Sequence, residues 1–209
     1  MLDSQFYNRY FQGSIKAIES LKENYGTISR MASQIYQSQL NGNKILIGGN
    51  GGSAADAQHF AGEMTCTYKD SQRRPFSAIS LTNNSSAISA WANDFGYESY
   101  FGRQVEALGR EGDILFLIST GGGDREKGYS MNLVHAADLA LKKNLKVFSL
   151  VGKTGGELSK ISDEYIIVGS FETSHVQETH ISIIHSICES LDLLSSVDKE
   201  NKMKNASYI

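Results

Sequence analysis

Between positions 4 and 41 apolar residues recur at three- and four-residue intervals, as in Ile28, Met31, Ala32, Ile35, Tyr36 and Leu40. That spacing lays one apolar stripe along a helical face and predicts two N-terminal helices over 4–41. The pattern then changes. Short apolar runs that stop at Gly, Ser or Asn, each followed by a helical stretch, lie at 44–47, 77–81, 113–118, 146–151 and 164–168. Five such strands alternating with helices predict an α/β fold, a five-stranded parallel sheet flanked by helices on both faces. A last long helix is expected from about Thr173 to Leu194, with Ile184, Ile187, Cys188 and Leu191 on one stripe. The polar residues 196–209 beyond it are expected to form a mobile tail. One domain over 1–195, with its sheet core in 44–195, accommodates all of these elements.

Composition removes several function classes. The net charge is −3, and Lys and Arg are scattered, with Arg73 and Arg74 the only adjacent arginines. Nucleic-acid binders gather their basic residues on one face, so no nucleic-acid partner is expected, and the arginine pair reads as a solvated edge. The first residues, among them Asp3, Gln5, Tyr7 and Arg9, form no apolar targeting segment, so a cytoplasmic location away from any membrane is expected. Cys66 and Cys188 lack metal-type spacing and read as buried, reduced thiols.

Ligands of an open parallel sheet collect beyond the carboxyl ends of its strands. This chain places glycine-rich loops there: Gly48-Gly49-Asn50-Gly51-Gly52-Ser53-Ala54, Ser119-Thr120-Gly121-Gly122-Gly123 and Gly152-Lys153-Thr154-Gly155-Gly156. Glycines let backbone N–H groups converge, and hydroxyls beside a helix start add donors, so three such loops point to an anion such as phosphate. Two other phosphate motifs fail. Gly152-Lys153-Thr154 ends like a P-loop, but Val147 stands where its first glycine belongs. Gly49-x-Gly51-x-x-Ala54 fits a dinucleotide fingerprint, yet the second strand ends Leu81-Thr82-Asn83-Asn84 without the acidic residue a ribose requires.

The run Gly49-Asn50-Gly51-Gly52-Ser53-Ala54-Ala55-Asp56-Ala57-Gln58-His59-Phe60 resembles the signature of phosphoheptose isomerases in the sugar isomerase (SIS) superfamily. Ala92-Asn93-Asp94-Phe95-Gly96, residues 104–113, Ser119-Thr120 and Val176-Gln177-Glu178-Thr179-His180-Ile181 extend the likeness over roughly residues 40 to 192. The resemblance implies an SIS fold, a homotetramer with active sites between subunits, and often a bound zinc ion. The implied reaction interconverts sedoheptulose 7-phosphate and D-glycero-D-manno-heptose 7-phosphate, supplying heptose for lipopolysaccharide or capsule.

Aldose–ketose isomerisation moves a proton between two carbons through an enediol, which calls for a base and an acid on opposite sides of the sugar. By resemblance these are Glu63 and His185, and zinc would be held by His59, Glu63, Gln177 and His185. His59 and Glu63 are four apart on a helix expected from about Ser53 to Thr67, so both leave one face. Gln177 and His185, eight residues apart on one helix, are separated by about 12 Å of rise. An irregular helix or ligands from neighbouring subunits would reconcile that span with one ion. Phosphate would be held by Ser53, Ser119 and Thr120, and the substrate set implied by the family is completed by Asn50, Gly51, Gly52, Asn93, Asp94, Gly121, Ser130 and Gln177.

The third loop departs from the family's Ser-Thr-Ser-Gly-Asn-Ser. Gly121 lacks a hydroxyl, and if 123–128 is an insertion, Ser130 takes the place of the last serine. Asp124 is expected to turn away from the anion, leaving Arg125 or Lys127 available to it. Thr67 stands where some members carry arginine. A non-catalytic SIS protein of the replication-initiator-associating type lacks the catalytic Glu and His, and both are present here. An isomerase of another ketose phosphate is the remaining alternative.

Overall fold

The computed structural model describes residues 3–206. α1 (Ser4–Glu19) and α2 (Tyr25–Leu40) are joined by a 3-10 turn at Ser20–Asn24. The Asp3 carboxylate opens α1 by accepting from the Phe6 amide at 3.0 Å, as an N-cap should. Then follow β1 (Ile45–Gly49), α3 (Gly52–Thr65), β2 (Ala78–Ser80), α4 (Ser85–Phe95), α5 (Tyr100–Leu108), β3 (Ile114–Ser119), α6 (Met131–Lys142), β4 (Lys146–Val151), α7 (Leu158–Ile161), β5 (Glu164–Ile167) and α8 (Thr173–Ala206). All strand pairs are parallel, in the order β2-β1-β3-β4-β5. The expected α/β class and five-strand count are therefore what the chain forms.

Strand side chains alternate between two cores, because successive residues of a strand face opposite sides of the sheet. Ile45, Ile47, Phe116, Ile118, Phe148 and Leu150 join residues of α2, α3 and α8 on one face. Leu46, Leu115, Leu117 and Val147 join residues of α5, α6 and α7 on the other. Burial on both faces is why the strands read as continuous apolar runs rather than alternating ones.

Three expectations need correction. The last helix runs on to Ala206 rather than stopping near Leu194. Its apolar stripe fades there, but 195–206 contains no Gly or Pro to end a helix, and Lys199 is anchored to the Gln72 carbonyl at 2.6 Å. The last residues of the expected tail, 207–209, lie outside the described residues. Second, Arg73 is buried, not part of a solvated edge. Third, Cys188 is buried as expected but Cys66 is exposed.

Two apolar surfaces stay open. On α1, Tyr7, Phe11, Ile15 and Ile18 form an exposed stripe at helical spacing, and on α8 Leu193, Val197 and Met203 are exposed. No helix among the described residues is long and apolar enough to cross a membrane.

Candidate functional site

The strand order reverses between β1 and β3, so the loops leaving their carboxyl ends part and open a crevice. Glycine makes the first loop possible. A Cβ on Gly49 would stand 2.4 Å from the Ser53 carbonyl oxygen, so α3 can start directly off the strand only above a residue without a side chain. Gly51, at φ +57, makes the turn into the helix.

Ser53, Ser119, Thr120, Gly121, Ser130 and Gln177 line a cavity of about 250 Å³ at this point. Ser53 and Ser119 are buried, and the Ser119 hydroxyl accepts from the Gly122 amide at 3.0 Å. Gln177 arrives from α8 and packs on Gly52, where a Cβ would meet its Nε2 at 2.5 Å. Asn50 also lines the cavity, but its amide is tied down: it exchanges hydrogen bonds with Asn132 at 2.9 and 2.8 Å and accepts from the Tyr97 hydroxyl at 2.9 Å. Asn132 and Tyr97 were not legible as site residues, since neither sits in a glycine-rich loop.

The third and fourth glycine loops interlock. A Cβ on Gly122 would fall 1.9 Å from the Gly155 carbonyl oxygen, and one on Gly156 would reach the Gly121 and Gly123 carbonyl oxygens at 2.5 and 2.4 Å. The Leu158 and Glu157 amides donate to the Gly122 and Gly123 carbonyls at 2.8 and 3.1 Å. Next to this contact the residues expected as an insertion close a small hairpin, Asp124 and Tyr129 exchanging backbone hydrogen bonds. The Asp124 carboxylate accepts from the Lys127 and Glu126 amides, both at 3.0 Å, and these bonds hold it below the usual carboxylate range. It lines the adjoining cavity rather than the one bordered by Ser53 and Ser119. Arg125 is not available to an anion: it donates to both Asp138 carboxylate oxygens at 2.8 and 2.9 Å and to Glu157 at 3.3 Å.

The second half of the site lies further along α3. His59 Nε2 and Glu63 Oε1 are 3.1 Å apart, one turn separating them on the same face. The His185 ring reaches them from α8, its centroid 5.2 Å from that of His59, and it stacks on Tyr68 at 5.8 Å. Burial pushes the neighbouring Cys188 thiol up to about 12, with the Glu63 charge adding to the effect, so it remains a neutral packing group. Partial burial raises the Asp56 carboxyl, which stands one turn before His59 and is opposed by it. His180 is a packed core histidine of α8, its ring lowered to about 4 by burial. Glu63 retains 24% of its side-chain exposure and His59 43%, so this cluster opens onto the surface of the single chain.

A buried ion pair fixes the end of α3 that carries Glu63. Arg73 donates to Asp192 at 2.7 Å, to the Glu63 carbonyl at 2.7 Å and to the Met64 carbonyl at 3.3 Å. The other Asp192 oxygen accepts from the Lys69 and Asp70 amides at 2.9 Å each. These bonds, with the Phe76 amide that donates to the Met64 carbonyl at 3.0 Å, satisfy carbonyls at the end of the helix that have no partner within it. Asn93 and Asp94, by contrast, are exposed at the end of α4 and bond to each other at 2.7 Å, away from the cavity lining.

The donors expected to hold zinc are chemically apt, since imidazole nitrogen and carboxylate oxygen are its usual ligands. Their placement is not. Glu63 and His59 bond to each other, Gln177 packs at Gly52, and no group of three His, Cys, Asp or Glu able to hold an ion occurs among the described residues. One chain as it stands does not bring these four donors together around an ion.

A family model described as the SIS domain matches residues 7–152. The phosphoheptose isomerase of Campylobacter concisus (strain 13826) is 44% identical over 167 residues, which is 80% of this chain and 85% of that protein. Among solved structures, the phosphoheptose isomerase GmhA from Neisseria gonorrhoeae superposes with a TM-score of 0.81 at 36% identity, covering 90% of this chain and 97% of that one. A phosphoheptose isomerase from Francisella tularensis gives 0.85 at 34% identity, covering 92% and 100%.

Proposed function

Because the chain belongs to the phosphoheptose isomerase family of SIS-domain proteins, we propose that it interconverts sedoheptulose 7-phosphate and D-glycero-D-manno-heptose 7-phosphate through an enediol. The protein is an aldose–ketose isomerase. The observation that supports the reading is a hydroxyl-lined cavity at the start of α3 and α8 with a carboxylate and an imidazole further along the same two helices. The cavity would hold the phosphate through Ser53, Ser119, Thr120 and Ser130, with Gln177 orienting the sugar. Glu63 would take the carbon-bound proton, and His185 would serve the neighbouring oxygen. His59, bonded to the Glu63 carboxylate, would keep that base aimed.

A base that opens onto solvent is poorly suited to removing a carbon-bound proton. We propose that a second copy of the chain covers it, in a homotetramer whose α1 stripe is one contact. Ligands drawn from neighbouring copies would also spare Gln177 and His185 of one helix from having to reach the same zinc ion. A cytoplasmic location completes the reading, and the heptose phosphate would serve lipopolysaccharide or capsule synthesis.

The test is an NMR assay of the purified protein with sedoheptulose 7-phosphate and fructose 6-phosphate, each with and without chelator. Loss of the heptulose signal with gain of an aldoheptose signal is expected. Turnover of fructose 6-phosphate alone would reassign the substrate, and no turnover of either would reject the isomerase reading.

A further inference from the structure

We propose that Lys153, in the fourth glycine loop, is a phosphate-binding residue of this isomerase, supplying the cation that the other residues of the cavity do not. The proposal rests on reading that cavity as the seat of the sugar phosphate. A phosphate monoester arrives with one to two negative charges, and the cavity meets it with hydroxyls, amides and one glutamine. Lys153 is the one charged residue on its lining, at the border with the adjoining cavity. No ion pair engages its ammonium group among the described residues, whereas Lys160, at the adjoining cavity, is bonded to Glu157 at 2.7 Å. A compact ammonium on a flexible stem suits a phosphate, and hydrogen bonds between charged partners are about twice as strong as neutral ones.

The backbone supplies an independent argument. Among the described residues three that are not glycine adopt a left-handed conformation: Ser130 at φ 52, Asn144 at φ 60 and Lys153 at φ 55. Asparagine tolerates that region, but lysine and serine are disfavoured there. The two disfavoured residues line the same cavity. Strained backbone persists where the surroundings over-determine it, and it concentrates at functional sites. Here the surroundings are explicit. The Lys153 amide donates to the Ser170 carbonyl at 3.1 Å, the Gly155 amide closes the turn onto the Gly152 carbonyl at 2.9 Å, and Gly155–Gly156 are wedged against the third loop. A glycine at 153 would hold the turn without strain, so what the lysine adds is its side chain.

The third loop explains why a cation would be useful at this place. Gly121 offers no hydroxyl, and a Cβ built on it meets nothing within 4 Å, so the wall there is open where a serine would have stood. Lys153 reaches the same cavity from the neighbouring loop.

The experiment compares wild type with Lys153→Met, Lys153→Arg and Lys153→Gly. It measures kcat and KM for sedoheptulose 7-phosphate, inhibition by inorganic phosphate, and melting temperature. Losing a charged hydrogen bond should raise KM and the phosphate inhibition constant together by about 10- to 100-fold, with kcat changing less than about threefold. Arginine should recover part of the loss. Glycine should melt higher than wild type, by relieving the left-handed strain, yet bind phosphate as weakly as methionine does. Wild-type KM and phosphate inhibition in the methionine and glycine variants would overturn the lysine's role and leave the isomerase standing. A wild type that binds phosphate through Lys153 but isomerises nothing would do the reverse. A wild type that neither turns over sugar phosphate nor binds inorganic phosphate would overturn both.

Discussion

The hydroxyl-lined cavity and the Glu63 cluster both draw on α3 and α8, but are built by opposite means. The cavity is finished within one chain: backbone packs on backbone at Gly49, Gly122 and Gly156, and its polar groups sit among interlocked loops. The cluster is unfinished. Its carboxylate and imidazole stand on a helical face open to solvent, steadied from behind by Arg73 and Asp192 but covered by nothing in front. Recognition of a charged group can tolerate a fixed, partly wet pocket, whereas proton abstraction from carbon gains from excluding water. The comparison teaches that one chain encloses its hydroxyl-lined cavity but leaves its carboxylate–imidazole pair open, which is where the proposed neighbouring copy would act.

Removing the reacting groups should have the largest effect. Glu63→Gln and His185→Asn should each lower kcat by about 1,000-fold or more, about 4 kcal/mol of transition-state stabilisation, while the melting temperature stays within a few degrees. Rates near wild type in either variant, read by the same NMR assay, would remove the chemistry from this cluster. Arg73→Met leaves Asp192 buried without its partner and should cost about 3–5 kcal/mol of stability in denaturant titrations. It should also lower kcat more than it raises phosphate inhibition constants, because it loosens the Glu63 end of α3 and not the cavity. Gly122→Ala forces a Cβ against the Gly155 carbonyl at positive φ and should cost about 2–3 kcal/mol, with phosphate affinity falling first. Smallest is Gly62→Ala. That residue is exposed in the last turn of α3 with open space around it, so alanine should add about 0.5–1 kcal/mol. A loss instead would show that another copy approaches this face closely.

The same contrast explains what the sequence made legible. Strand runs buried on both faces announced the sheet, and glycine loops at strand ends announced the cavity, because both are local patterns. Arg73 was misread because its partner lies at position 192 and pairing over such a separation leaves no local mark. Arg125 was misjudged for the same reason, its acceptors being Asp138 on α6 and Glu157 beyond β4. Lys153 was visible only as a failed P-loop residue; its value comes from a loop contact that the neighbouring strands create. The end of α8 was missed because a fading stripe was taken for a stop, although no residue there breaks a helix.

α8 spans 34 residues, about 51 Å when regular, and carries Gln177, His185 and Asp192 on one unbroken rod. Deleting a single residue between the first two would swing everything downstream by about 100° around the axis and draw it about 1.5 Å closer. Sequence drift in this lineage is thus channelled. The hairpin after β3 can lengthen or shorten at small expense, while the interval from 177 to 192 behaves as a gauge whose graduations are not free to move.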